Sequence, residues 1–220
     1  MNTIVSLIVI LGFFYIILIL PFQLLLRIKK NYTNTKKVIK PNSVSKGKIG
    51  ESNVFRTLVY NNENHLLKNI YVFKENKTST EIDIICINEY GIFVYESKNY
   101  SGWIFGDENE SNWIQTFKNG KKFYFYNPIK QNENHIKYLK QYLNIDKCKF
   151  YSVIVFNDEC TFKNLHYNQS NYTLIKLHEL YNYIQFYRNN YKKSLDQDEI
   201  EKIYNKLKNN YEQHFNTNNL

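Results

Sequence analysis

Residues 81–100 read EIDIICINEYGIFVYESKNY. Two apolar runs flank Glu89-Tyr90, and Gly91 follows directly, so the stretch predicts a β-hairpin with strands over 81–88 and 91–99. Closing the tightest turn on Glu89-Tyr90 sets Ile87 opposite Ile92, Ile85 opposite Val94, Asp83 opposite Glu96 and Glu81 opposite Lys98. The other face pairs Cys86 with Phe93, Ile84 with Tyr95 and Ile82 with Ser97. Both faces are apolar near the tip, which marks a hairpin buried on two sides. Towards the open end one face becomes charged.

There the register places two carboxylates opposite each other, with Cβ atoms about 5 Å apart. Like charges so placed destabilise a sheet unless something compensates them. A divalent cation does so, and oxygen ligands on a hard cation are the chemistry of Mg²⁺. Lys98 follows Glu96 by two residues on the same face, where an ammonium can hold a phosphate oxygen or help to activate a water. A one-residue slip would move Asp83 to the other face relative to Glu96. In the plainer reading, Glu81–Lys98 is a cross-strand ion pair, and Asp83 and Glu96 sit near a solvated sheet end. The apolar runs on both sides weigh against it.

Working outward, residues 46–60 (KGKIGESNVFRTLVY) predict a helix with Ile49, Val54, Leu58 and Phe55 as its apolar stripe. A strand is expected over 66–74, and shorter strands over 103–106, 112–117 and 121–126. Pro128 opens a helix that runs to Leu143, with Ile129, Ile136, Leu139 and Leu143 on one face. Residues 150–156 (FYSVIVF) form a buried strand, residues 172–175 another, and two helices follow. Leu177, Leu180, Tyr181, Ile184 and Tyr187 give the first its apolar face, and Ser194 caps the second.

The N-terminal segment is of another kind. Ile4 to Leu26 holds 23 residues without a charge, roughly 34 Å as a helix and enough for a bilayer core of about 30 Å. No basic residue precedes it and no small-residue cleavage site follows, so it predicts an uncleaved transmembrane anchor rather than a signal peptide. Eight basic residues lie between Arg27 and Lys48, and no acid precedes Glu51. Positive flanks stay inside, which places a single-pass protein in the cell membrane with its C-terminal domain in the cytoplasm. Cys86, Cys148 and Cys160 are odd in number, show no CxxC spacing and call for no oxidising compartment.

The same basic run accounts for most of the net charge of +9. With it removed, 21 basic side chains face 20 acidic ones, so global charge does not argue for a nucleic-acid partner.

The order of motifs carries a resemblance. A helix with Gly50-Glu51 precedes Glu81-Ile82-Asp83; then come Gly91-Ile92-Phe93-Val94-Tyr95-Glu96-Ser97-Lys98-Asn99-Tyr100-Ser101-Gly102, Asn127-Pro128-Ile129-Lys130-Gln131, and His135. Over Lys46 to Phe156 the chain resembles the NERD (nuclease-related) domain of the PD-(D/E)xK superfamily. The resemblance implies an α/β, restriction-endonuclease-like mixed sheet flanked by helices, here preceded by one N-terminal transmembrane helix. It implies Asp83 and Glu96 as Mg²⁺ ligands, Lys98 as the catalytic lysine, Glu51 as an accessory helix carboxylate and Gln131 as a site position on the following helix. Ile82 stands where the superfamily's name has Pro.

The domain plan is thus an anchor over 1–26, a basic juxtamembrane linker over 27–45, the NERD domain over 46–156 and a C-terminal strand and helical extension over 157–220. Gln131 and His135 share a helix face, so both approach the site or both lie on the surface. A lone His more often packs, caps or faces solvent than does chemistry. Trp103, Trp113 and residues 121–126 (KKFYFY) mix bases with aromatics, which suits stacking on unpaired bases, although packing of amphipathic edge strands explains them more simply. The expected function is a membrane-anchored, Mg²⁺-dependent nuclease acting on DNA ahead of RNA. The alternative is a non-catalytic nucleic-acid-binding or scaffold module at the membrane.

Overall fold

The computed structural model describes residues 46–73, 78–145 and 149–217, with side chains up to residue 209. The predicted transmembrane segment and linker lie outside those residues, as does Cys148. No described helix is long and apolar enough to cross a membrane. In chain order the elements are α1 (Lys46–Tyr60), β1 (His65–Phe73), β2 (Ser79–Asn88), β3 (Gly91–Lys98), β4 (Gly102–Asp107), β5 (Asn112–Thr116) and β6 (Lys122–Tyr126). There follow α2 (Pro128–Leu143), β7 (Phe150–Phe156), β8 (Cys160–His166), β9 (Tyr172–Lys176), a 3₁₀ turn (Leu177–Glu179), α3 (Leu180–Asn190) and α4 (Gln197–Thr217).

The strands divide between two mixed sheets, ordered β1-β2-β3-β7-β9 and β6-β5-β4-β8. In the first, β3, β7 and β9 run parallel, and β1 to β3 are antiparallel. The hairpin register is as the sequence predicts, from Asn88–Gly91 to Ile84–Tyr95. Apolar residues fill both faces of β2 and β3, so helices must cover both. Val54 and Leu58 of α1 join Leu180, Ile184 and Tyr187 of α3 on one face. Leu139 and Leu143 of α2 join Ile200, Ile203 and Leu207 of α4 on the other.

The α/β class is as expected, but the single sheet becomes two, because β4, β5 and β6 pair among themselves and with β8, a strand the sequence does not announce. Its sequence, CTFKNLH, shows little alternation, and its register with β4 shifts between Ile104 and Phe105. Residues after Phe156 complete both sheets through β8 and β9. At α4 the cap is Asp196 rather than Ser194. Asp196 Oδ1 accepts from Glu199 N–H at 2.9 Å, and Glu199 Oε2 accepts from Asp196 N–H at 3.0 Å. Ser194 instead donates its hydroxyl to Tyr90 O. In the helix stripes, Ile49 and Tyr181 are exposed, while Tyr183 is buried.

Two buried polar groups hold the layers in place. At the turn end of the hairpin, Glu63 accepts from Tyr187 O–H at 2.5 Å, Arg188 Nη2 at 2.7 Å, Asn88 Nδ2 at 3.0 Å and the Cys86 thiol at 3.1 Å. Burial and the Glu63 carboxylate push Cys86 well above the usual thiol value, so it stays protonated. Asn127 is fully buried before α2. Its Oδ1 caps Ile129 N–H at 2.9 Å, and its Nδ2 donates to the carbonyls of Asp107, Glu108 and Glu110. Pro128 at the first helical position needs no N–H partner. The start of α2 is thereby fixed to the β4–β5 turn of the second sheet.

Replacing Asn127 removes cap and carbonyl contacts together. Asn127→Ala should lower the unfolding free energy by about 2 kcal/mol or more, read by denaturant unfolding. Asn127→Asp keeps the cap acceptor but faces three carbonyls with a carboxylate, and should not restore stability.

Candidate functional site

Strand β3 is fully apolar from Gly91 to Tyr95 and then delivers Glu96, Ser97 and Lys98 at its C-terminal end. A carboxylate in that position is 2 % exposed. An isolated charge there would be prohibitive, and two partners compensate it. Lys98 Nζ reaches Glu96 Oε1 at 2.8 Å, and His135 Nε2 reaches Glu96 Oε2 at 3.2 Å. Burial raises the Glu96 carboxyl, but His135 and Lys98 outweigh it and hold the group below its ordinary value. Burial lowers Lys98, and Glu96 outweighs that in turn, so the ammonium is held above its ordinary value. Both charges are thus stabilised by one another.

Helix α2 supplies the remaining contacts from one face. Gln131 Oε1 accepts from Lys98 Nζ at 2.9 Å. Asn132 Nδ2 donates to Val94 O and Ser152 Oγ, both at 2.9 Å. His135 Nδ1 meets Thr80 Oγ1 at 2.9 Å. Because an ionised Glu96 can only accept, Nε2 carries the proton, and the Thr80 hydroxyl can donate to Nδ1. Of the two readings the sequence leaves open for this helix face, the structure realises the one in which both Gln131 and His135 approach the site, and His135, more simply read as packing, capping or solvent-facing, is a buried partner of Glu96. The signal was present: Asn132 and His135 are polar residues on the stripe that also holds Leu139 and Leu143.

Asp83 is placed beside this group by a break in the strands. The β1–β2 ladder pairs Lys68 with Ile84 and Ile70 with Ile82, but skips Asn69 opposite Asp83. Asn69 has φ 56°, a left-handed conformation that Asn tolerates better than most residues. The β2–β3 ladder ends one step away, at Ile84–Tyr95. In its stead the Ser97 N–H donates to Asp83 Oδ2 at 2.8 Å. Burial pushes Asp83 up to about 8, the Glu96 carboxylate adds to the rise, and the Ser97 N–H opposes it. The direct Asp83–Glu96 pairing that the sequence predicts is absent from the ladder, yet the Glu96 carboxylate lies near enough to help to raise Asp83.

The break also reverses which side chains share a face. Ile85 and Ile87 pack with Ile82 on the α2 side, while Ile84 and Cys86 pack on the α1 side. Strict alternation put Glu81 opposite Lys98; the structure does not. Glu81 Oε1 accepts from Asn69 Nδ2 at 2.8 Å, and the same amide reaches Glu51 Oε2 at 3.2 Å. Lys68 Nζ lies 3.7 Å from Glu51. Glu51 therefore stands apart from Glu96 and Lys98, joined to Glu81 through Asn69, yet close enough to Asp83 to help to raise it. Gly50 lets α1 approach this end of β3: a Cβ there would lie 2.8 Å from Asn99 Cβ.

Of the predicted site residues, Glu96, Lys98 and Gln131 make one hydrogen-bonded group with Asp83 beside it, and Glu51 flanks it. Among the described residues there is no ready-made group of three or more His, Cys, Asp or Glu side chains for a metal ion. A cavity of about 380 Å³ opens next to Lys98.

Comparison with known proteins agrees with this core. The model of the nuclease-related domain, NERD, matches residues 46–157, from the start of α1 to just past the end of β7. An uncharacterized protein of Bacillus anthracis is 34 % identical over 164 residues, covering 74 % of this chain and 75 % of its own. No solved structure matches the chain. Motif order, site geometry and the family match converge on one assignment: the chain belongs to the NERD, or nuclease-related domain, family.

Proposed function

We propose that this protein is a Mg²⁺-dependent nuclease that hydrolyses phosphodiester bonds, of DNA ahead of RNA, on a restriction-endonuclease-like core. The observation that carries the reading is the mutual position of Asp83, where the β2–β3 pairing stops, and Glu96 and Lys98 at the end of β3. Burial, helped by the neighbouring Glu96 carboxylate, holds Asp83 far above its ordinary value, and an ammonium stands on the same strand as Glu96. The donor set fits Mg²⁺, which takes hard oxygen ligands and is held through one or two carboxylates with the rest of its shell from water and phosphate. Ser97 occupies Asp83 Oδ2, and Oδ1 is left for a cation. When bound, the ion polarises a phosphoryl oxygen and lowers the pKa of a water.

The chain's own residues have distinct tasks in this reading. His135 keeps Glu96 ionised and fixed. Gln131 holds Lys98 Nζ in place, so that the ammonium can meet a non-bridging phosphate oxygen or orient the attacking water. Asp83 must release its proton before it can ligate, so cation and proton compete for it. The uncharged segment from Ile4 to Leu26, with its basic flank, tethers the domain to the cytoplasmic side of the cell membrane.

A non-catalytic nucleic-acid-binding module draws on one observation: Glu96 already has a partner on each oxygen, and Lys98 is spent on Glu96 and Gln131.

Cleavage decides between the two. The full-length chain in detergent should cut nucleic acid with Mg²⁺ and not with EDTA. Glu96→Ala and Lys98→Ala should each lower the rate at least about a hundredfold at a temperature where circular dichroism shows the variant folded, although each lowers Tm by leaving a buried partner uncompensated. Failure to cut any single- or double-stranded DNA or RNA would overturn the enzyme reading. Gln131→Ala should lower kcat more than it raises KM, since it positions Lys98 rather than binding substrate.

The titration of Asp83 supplies a test without turnover. The folded chain keeps a proton that the unfolded chain loses above its ordinary value of 3.8, up to about 8. In EDTA this group therefore contributes a fall in Tm as pH rises from about 4 to about 8, and none beyond. Asp83→Asn should flatten that fall. At pH 8, Mg²⁺ should raise the Tm of the wild type and leave Asp83→Asn unmoved; an equal response of both would remove Asp83 from the metal site.

A further inference from the structure

The cavity beside Lys98 is lined by more than the proposed chemistry requires. Its walls include Tyr100, Gln115, Phe117 and Phe123, with Lys46 at its rim. At about 380 Å³ it falls within the range of small-ligand pockets. Phe123 and Phe125 alternate with Tyr124 and Tyr126 along β6, so the two Phe side chains share the inner face. Phe125 is covered by Tyr100, at 4.5 Å between ring centres, and by Trp113 at 6.3 Å. Among the described residues Phe123 has one ring contact, to Phe117, edge to face at 5.7 Å, and it is 54 % exposed. This half-exposed aromatic lines a cavity that ends at Lys98, and no stacked ring covers it among the described residues.

The charge around it identifies a partner for that ring. Between Glu110 and Glu133 the chain carries Lys118, Lys121, Lys122 and Lys130 and no acid. Lys118, Lys121 and Lys122 are exposed at the β5–β6 turn. Flat apolar surfaces interleaved with lysines match a polymer of bases on a phosphate backbone. A duplex hides its base faces in the stack and offers a ring nothing to stack upon.

Resting on the nuclease reading of the same site, we infer that the Phe117–Phe123 cavity is a stacking subsite for an unpaired base. It would sit next to the phosphate at Lys98, with the hairpin lysines following the backbone. The substrate class is then single-stranded nucleic acid, or the unpaired end or flap of a duplex. The Asn127 contacts to the β4–β5 turn hold this second sheet against α2, which carries Gln131. Subsite and Lys98 thus keep a fixed spacing.

The test is binding without cleavage. The full-length chain in detergent and EDTA is titrated into short fluorescent oligo(dT), oligo(rU) and a DNA duplex of equal length, and anisotropy is read. Phe123→Ala and Phe123→Leu should each weaken single-strand binding roughly tenfold and duplex binding less than about twofold, and Phe123→Trp should retain it. Lys121→Ala with Lys122→Ala should weaken both forms together and flatten their salt dependence. The two oligonucleotide arms determine which sugar the site takes, and a Phe123-dependent preference in either supports the subsite. Because Phe123 lies on an exposed edge strand, matching Tm values confirm that the variants fold. Equal losses on single strand and duplex, or full retention by Phe123→Leu, would overturn the stacking subsite. Its failure is separable from that of the nuclease reading. Cutting that needs Lys98 but ignores Phe123→Ala removes only the subsite, and Phe123-dependent binding without cutting removes only the catalysis.

Discussion

The carboxylate of Glu96 is the constraint around which the domain is arranged. A charge at the centre of an apolar sheet survives only with partners, and these come from two directions. Lys98 arrives along the same strand and His135 from the helix packed above it. Each partner is held from its far side as well, the ammonium by Gln131 Oε1 and the imidazole by the Thr80 hydroxyl. Removing either would leave the other side of a buried pair uncompensated, a far larger penalty than the pair's net worth. That requirement fixes the rotation of α2 about its axis. Once His135 must reach Glu96, Gln131 one turn earlier faces Lys98, and Asn132 falls between them on Val94 O.

The second constraint is the break at Asn69 and Asp83. An uninterrupted ladder would bury both residues in backbone pairing and give Asp83 a single fixed neighbour on each side. With the pairing omitted on both sides of Asp83, the middle of β2 carries a carboxylate without a ladder partner, which takes the Ser97 N–H on one oxygen. Such a gap in a central strand weakens the fold, and a strained, repelling arrangement is tolerated at sites where it serves function. The rest of β2 compensates by being apolar on both faces from Ile84 to Ile87.

The same break explains what the sequence could and could not reveal. Element types were legible because α2, β7 and the hairpin have strong periodicity or bounded apolar runs, and the turn on Glu89-Tyr90 admits one tight register. That register puts Asp83 near Glu96, but their direct pairing is not realised, because the ladder ends at Ile84–Tyr95 and Asp83 takes the Ser97 N–H instead. The partner of Glu81 was not legible, because period-two counting assumes an unbroken strand, and nothing in Lys68-Asn69-Ile70 announces a left-handed residue. β8 was hidden for a related reason: its register shift against β4 scrambles alternation. His135 was discounted as a lone histidine, although a histidine on the stripe that also bears Leu139 and Leu143 must find a buried partner, and the buried acid was already in view.

The second sheet follows from these constraints rather than standing beside them. α2 must be anchored where its first turn meets Lys98, and a helix start needs donors satisfied and its entry direction set. Asn127 does this by gripping three carbonyls of the β4–β5 turn, so the sheet that provides the turn is positioned by the site. Trp113, at the heart of that sheet, stacks on Phe156 of β7 at 6.3 Å, which closes the circuit back to the central strands. A surface brought to within reach of Lys98 by so many fixed contacts is rigid before any ligand arrives. A wall built in advance lowers the ordering cost of whatever ligand fits it and disfavours one that would need the sheet to open.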